Sequence, residues 1–223
     1  MSIKLNAQSG GSVALDAPTQ TTNSNDLTFK LPVADGSANQ VIQTNGSGQL
    51  AFASPSYKNF GTTTISSASS EIDIDFDVTN YSNFKLYLEG WNPSDDCNMY
   101  CRYKINGSID TNSNYASLTI KKYGGGFDSS EYGGSNINYG YMSHNVGGND
   151  SSYERYSAQL EIMTGSGTGM PFMNISSFYK DNGAQYVHNM GIVGYQNFNQ
   201  IQGIRIYPST GNITAGKYTL YGW

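Results

Sequence analysis

Charge is scarce in this chain. Only 13% of its 223 residues are Asp, Glu, Lys or Arg, about half the share of an average soluble domain. Hydrophobic residues are scarce as well, at 37%. Leu, Glu, Lys and Ala are too few to build long amphipathic helices. The 12 Lys and Arg form no basic stripe and the formal net charge is −5. Nothing in the composition would neutralise a phosphate backbone, which argues against binding nucleic acid. No apolar run approaches the roughly 20 residues that span a bilayer, so membrane insertion is not expected. The start, Met1-Ser2-Ile3-Lys4-Leu5-Asn6-Ala7-Gln8, lacks the apolar core of a signal peptide. The expectation is synthesis in a cytoplasm.

Cysteine and histidine are nearly absent: Cys97, Cys101, His144 and His188 are all there are. On a single strand the two cysteines share a face roughly 13 Å apart, too far for a disulfide. The histidines would have to join them on a spacing that no common zinc module uses. No metal and no cofactor are therefore expected, and the thiols read as buried or half-buried small apolar groups.

Gly (26), Tyr (18), Asn, Ser and Thr fill the chain instead. Tyr, Thr and Ile favour strands, and Gly and Asn favour turns. An all-β protein is expected, with an extended N-terminal β segment followed by an antiparallel β-sandwich or jelly-roll-like domain.

Residues 1–54 carry sparse apolar beats: Val13 and Leu15; Leu27, Phe29 and Leu31; Val41 and Ile42; Leu50 and Phe52. Leu27 to Leu31 alternates and stops at Pro32, as a strand does. Asn45-Gly46-Ser47-Gly48 between two short apolar runs is a hairpin signal, because Asn-Gly accepts the positive φ of a tight turn. Such a segment has no core of its own and normally needs other chains. Leu27, Phe29, Leu31, Val41, Ile42, Leu50 and Phe52 are thus candidates for anchoring and oligomerisation. They would wind around identical partners or lie in a groove of a larger assembly.

Ser54-Pro55-Ser56 breaks the pattern, and residues 55–223 read as the second domain. Ile72, Ile74, Phe76 and Val78 alternate with Glu71, Asp73, Asp75 and Asp77, a strand with one apolar and one acidic face. The carboxylates could edge a calcium site, but a flat row about 7 Å apart lacks the wrap of a calcium loop. They read instead as a solvated face that blocks edge-to-edge pairing. Phe84-Lys85-Leu86-Tyr87-Leu88-Glu89 repeats the alternation. Further strands are predicted at 99–105, 116–121, 158–163, 172–179, 185–193, 204–207 and 217–221.

No Ser-His-Asp or Cys-His signature has recognisable context. Carboxylate pairs such as Asp95 with Asp128 or Glu131 with Glu154 exist, but separation decides glycosidase chemistry and sequence does not give it. No catalytic residue is assigned. The unusual segment is 121–156, rich in Tyr, Gly, Ser and Asn. It reads as a long loop in which Tyr supplies rigid contact area and Gly, Ser and Asn adapt. Tyr123, Phe127, Tyr132, Tyr139 and Tyr141 are candidate receptor contacts, with Trp91 as a neighbour. The alternative is that these tyrosines pack on the sandwich or on another subunit.

The run from Leu31 to Phe52, Leu-Pro-Val-Ala-Asp-Gly-Ser-Ala-Asn-Gln-Val-Ile-Gln-Thr-Asn-Gly-Ser-Gly-Gln-Leu-Ala-Phe, resembles a segment of tail-fibre and virion structural proteins of marine and cyanobacterial phages. The closing runs Gly203-Ile204-Arg205-Ile206-Tyr207 and Gly216-Lys217-Tyr218-Thr219-Leu220-Tyr221-Gly222-Trp223 are similar to the last strands of small phage fibre or knob domains. The resemblance implies a particle-proximal N-terminal module, often trimeric, and a distal domain of variable sequence. It also implies a virion location, with assembly in the host cytoplasm. The expected partners are further copies in a homotrimer, other virion proteins and a host surface glycan. The competing functions are a decoration or adaptor protein without a receptor, and a polysaccharide-degrading spike.

Overall fold

The structure, a computed structural model, describes residues 3–6, 9, 12–15, 20–21, 28–38, 40–123, 129–148, 154–165 and 169–223. Leu27, Phe127 and Asp128 lie outside them. The described residues contain strands and no helix. The chain divides into two compact units, Met1–Pro55 and Ser56–Trp223.

The first unit holds two hairpins. Strands β1 (Ile3–Asn6) and β2 (Ser12–Leu15) pair antiparallel. So do β3 (Val41–Thr44) and β4 (Leu50–Ala53). The Asn-Gly turn joins the second pair. Asn45 Oδ1 accepts from the Ser47 and Gln49 amides at 2.8 and 3.2 Å, and Gly46 and Gly48 take positive φ (82° and 81°). Lys30 is tied to this turn through its amide on the Gly48 carbonyl and its carbonyl on the Leu50 amide. No residue of this unit belongs to the buried core among the described residues. Phe29, Leu31, Val41, Ile42 and Phe52 are exposed, from 37% (Phe52) to 75% (Leu31), and Leu50 is half-buried.

The second unit is an antiparallel β-sandwich. Its strands are β5 (Lys58–Ile65), β6 (Ile72–Asp75), β7 (Asn83–Pro93), β8 (Cys97–Ile105), β9 (Ser108–Ile109), β10 (Tyr115–Tyr123) and β11 (Ser129–Ile137). They continue with β12 (Gly140–Val146), β13 (Tyr156–Met163), β14 (Phe172–Lys180), β15 (Tyr186–Tyr195), β16 (Gly203–Pro208) and β17 (Ile213–Gly222). Eight form one sheet in the order β11-β10-β15-β14-β13-β7-β17-β5. The other sheet runs β12-β8-β16-β6, with β9 paired to β8.

The alternation in sequence sets the two faces. Ile74, Phe76, Phe84, Leu86 and Leu88 are buried, and Ile72 and Val78 pack partly buried against them. Each fully buried side chain of this kind contributes about 1.5–3 kcal/mol. On β8, Cys97, Met99, Cys101, Tyr103 and Ile105 point inward while Asn98, Tyr100, Arg102 and Lys104 are half-buried on the other face. Tyrosine fills much of the core, and three of its buried hydroxyls find carbonyl or carboxylate partners there. Tyr103 Oη donates to the Val193 carbonyl, Tyr115 Oη to the Asp110 carbonyl and Tyr195 Oη to Asp110 Oδ2, at 2.9, 2.9 and 2.6 Å.

Two expectations are corrected. Trp91 is not a surface residue: it is fully buried, with Nε1 donating to the Lys217 carbonyl at 2.9 Å. The cause is a bulge at Gly90, whose φ is +62°. The register with β13 slips between Leu88 and Trp91, so the inward parity passes from even to odd residues. Gly216 makes room, since a Cβ there would lie 2.7 Å from the indole. The second correction is the segment 121–156, which is not a long loop. It supplies β11 to the edge of the eight-stranded sheet and β12 to the edge of the five-stranded one, with Asn138 and Tyr139 connecting the two. Gly133 serves close pairing: a Cβ there would collide with the Ser117 carbonyl oxygen on β10.

Candidate functional site

The outward face of the five-stranded sheet carries the most distinctive chemistry. Register places Tyr141 of β12 opposite Tyr100 of β8, and Tyr100 opposite Tyr207 of β16. The strands thus line up a row of tyrosines, and Tyr139, just before β12, joins it. Ring centroids lie 4.4 Å apart for Tyr100–Tyr139, 5.1 Å for Tyr100–Tyr141, 5.2 Å for Tyr139–Tyr141 and 5.8 Å for Tyr100–Tyr207. All four rings are half-buried. The Tyr139 and Tyr141 hydroxyls are 3.4 Å apart, and Asn98 Nδ2 donates to Tyr100 Oη at 3.0 Å.

The next row is ionic. Arg102 of β8 sits opposite Arg205 of β16, which sits opposite Asp73 of β6. Arg205 grips Asp73 through Nε and Nη2, both at 2.7 Å, and reaches Glu71 through Nη1 at 2.7 Å. Lys104 Nζ holds Asp75 at 2.7 Å. The acidic strand β6 is an edge strand, but its carboxylates are not simply solvated: Glu71, Asp73 and Asp75 pair with cations from neighbouring strands. Arg102 differs. Its Nε donates to the Asn138 carbonyl at 2.9 Å and its guanidinium carbon stands 5.3 Å from the Tyr207 ring centroid.

The electrostatics are those of a neutral aromatic surface beside fixed charges. The Arg205 hydrogen bond holds the Asp73 carboxyl below its ordinary pKa, against the effect of burial. Burial pushes the Tyr207 hydroxyl up to about 12. The hydrogen bond to Tyr139, then burial, raises that of Tyr141. Both hydroxyls therefore stay protonated at neutral pH and can donate. Half-buried rings with hydroxyls at their rims can stack on the C–H faces of a sugar and bond its hydroxyls.

The sequence-derived candidates separate in the structure. Tyr139 and Tyr141 belong to this face. Tyr132 stacks on the His144 imidazole instead, with centroids 3.7 Å apart and planes at 11°. Tyr123 packs half-buried against the core with Lys121 Nζ 4.8 Å from its ring. Tyr100, Arg102, Arg205 and Tyr207 were not singled out by sequence reasoning. Their signal was there: Asn98, Tyr100, Arg102 and Lys104 share one parity on a strand whose other parity holds Cys, Met, Tyr and Ile.

A second surface differs in kind. On the outward side of the eight-stranded sheet, Leu118, Phe178, Tyr186, Met190 and Ile192 are 42–55% exposed. Leu118 faces Ile192 and His188 faces Phe178 in register, and Phe178 stacks on Tyr186 at 5.8 Å. Among the described residues no three His, Cys, Asp or Glu side chains converge on a common point, and no helix is long and apolar enough to cross a membrane.

No protein-family model matches the chain, and no curated protein matches it. Among solved structures the chain is similar to the galectin LEC-6 of Caenorhabditis elegans. That likeness has a TM-score of 0.34 and 14% identity, over 70% of this chain and 94% of that one.

Proposed function

We propose that this protein is a short, non-enzymatic appendage of a bacteriophage particle that touches a host surface glycan through the tyrosine and arginine face of its sandwich. The observation that carries the glycan contact is the register row Tyr141–Tyr100–Tyr207 with Tyr139 beside it. Four half-buried rings on a solvent-facing sheet are more aromatic surface than the fold needs, since the core is closed by other tyrosines. The particle location rests on the resemblance of residues 31–52 and of the closing strands to virion proteins. The first unit would anchor the protein, its exposed apolar side chains being covered by identical chains in a trimer or by other virion proteins.

A second reading is a decoration or adaptor protein without a receptor. The exposed apolar side of the eight-stranded sheet favours it, because exposed apolar patches of this kind mark protein contacts. Adsorption separates the two. The fluorescently labelled full chain is titrated onto a panel of bacterial cells, with Tyr100→Ala and Tyr207→Ala alongside. Loss of adsorption at unchanged thermal stability supports the glycan contact. Absence of adsorption by the unaltered chain to every strain, with stable incorporation into particles, favours the adaptor.

A further inference from the structure

Among the described residues the sandwich holds ten Lys and Arg side chains, and five of them are held in ion pairs. Lys85 pairs with Glu161, Lys104 with Asp75, Lys121 with Asp181, Lys217 with Glu89, and Arg205 with both Glu71 and Asp73. Arg102 has no such partner among the described residues, and neither have Lys58, Lys122, Arg155 and Lys180, but Arg102 is the one that stands in register beside Arg205 on the tyrosine face. Its hydrogen bond to the Asn138 carbonyl uses Nε. Both terminal amino groups of the guanidinium have no acceptor among the described residues, and the group is already fixed by the Asn138 carbonyl and the Tyr207 ring.

We infer that the tyrosine face selects a saccharide bearing a carboxylate, and that Arg102 is the residue that reads that charge. The inference deepens the glycan reading above and rests on it. A planar guanidinium offers a two-pronged donor edge that matches a carboxylate, and such charge-assisted pairs are roughly twice as strong as neutral hydrogen bonds. Its fixation beforehand lowers the entropy lost on binding. The rings of Tyr100, Tyr141 and Tyr207 lie on the adjacent row, so a pyranose could stack there while its acid group meets Arg102. Asp73 and Asp75 of the edge strand, and Glu71 just before it, are already held by Arg205 and Lys104, so Arg102 is the cation of this face left to meet a ligand.

The test uses the full chain on an immobilised array holding uronate- and sialate-bearing oligosaccharides, sulfated ones and neutral ones. The best acidic polymer is also presented after its carboxyls have been reduced to alcohols. The expected result is retention of carboxylated glycans and a loss of about ten- to a hundredfold in affinity after carboxyl reduction. Arg102→Gln should lose the same factor on the acidic form and nothing on the reduced form, and Arg102→Lys should recover part of it. Thermal unfolding of both variants must match the unaltered chain. Equal binding of neutral and acidic forms, or an unaffected Arg102→Gln, overturns the role of Arg102 and leaves the glycan reading standing. Preference for sulfated over carboxylated glycans overturns the choice of carboxylate. Retention of no glycan of any class overturns the glycan reading itself.

Discussion

Lys121 Nζ lies 3.3 Å from Asp181 Oδ2 inside the sandwich, with 0% and 7% of the two side chains exposed. Lys121 is an inward residue near the end of β10, and Asp181 follows β14 directly. The other carboxylate oxygen accepts the Gly183 and Gln185 amides at 3.0 and 2.9 Å. The pair thus ties β10 to the turn between β14 and β15. Removing one partner of a buried pair leaves the other charge uncompensated, at about 3–5 kcal/mol. Lys121→Met should lose that much in denaturant unfolding. Lys121→Met with Asp181→Asn should recover most of it, since no charge is then buried. A single variant that loses under about 1 kcal/mol would show that the pair is not desolvated.

The acid limb of stability should have two steps. His144 has its pKa lowered by burial first and by Lys121 second. Its neutral form is favoured in the fold, so its contribution is present above the ordinary value of 6.5 and is lost as pH falls through the lowered value. Asp73 is held below its ordinary 3.8 by the Arg205 hydrogen bond. Its contribution is complete above that value and disappears at lower pH. Thermal midpoints of His144→Phe across pH 7 to 5 should be flatter than those of the unaltered chain, and Asp73→Asn should flatten only the region below about pH 4. The same slope in all three proteins would contradict both assignments.

Cys97 and Cys101 are free and buried. Burial pushes the Cys97 thiol up to about 12, and raises Cys101 further. The thiolate is the reactive form. The folded protein should react negligibly with an aromatic disulfide reagent at pH 8, and both thiols should titrate once denaturant is added. Rapid reaction in the folded state would mean that β8 opens readily.

The first unit should associate. Its exposed Phe29, Leu31, Val41, Ile42 and Phe52 have no buried core to join among the described residues of the unit. Sedimentation of the full chain is expected to give a trimer, and Val41→Ser with Ile42→Ser should shift it toward monomer. A stable monomer in both cases would remove the first unit as the oligomerising element.

The fold was largely legible because alternation is a local signal. Ile72 to Val78 and Phe84 to Leu88 have one apolar parity and one polar parity, and the structure buries the apolar one. Trp91 defeated this reasoning, because a bulge at Gly90 changes parity and no residue pattern upstream announces it. The segment 121–156 misled through glycines such as Gly133, which looks like a loop residue but permits close strand pairing. The tyrosine face was half legible. Tyr139 and Tyr141 stood out by composition, whereas Tyr100 and Tyr103 sit on opposite faces of one strand and look alike in sequence. Only the pairing of β8 with β12 and β16, distant in the chain, brings Tyr100, Tyr141 and Tyr207 together.

The host-contact role of the five-stranded sheet is tested most directly by mapping where glycan binds. Backbone amide shifts of the isotopically labelled full chain are followed while a host surface polysaccharide fragment is titrated in. Perturbations are expected at Tyr100, Arg102, Tyr139, Tyr141 and Tyr207, with Leu118, Met190 and Ile192 on the opposite sheet unchanged. Saturable shifts confined to the opposite sheet, or none on either, would contradict the assignment of the tyrosine face.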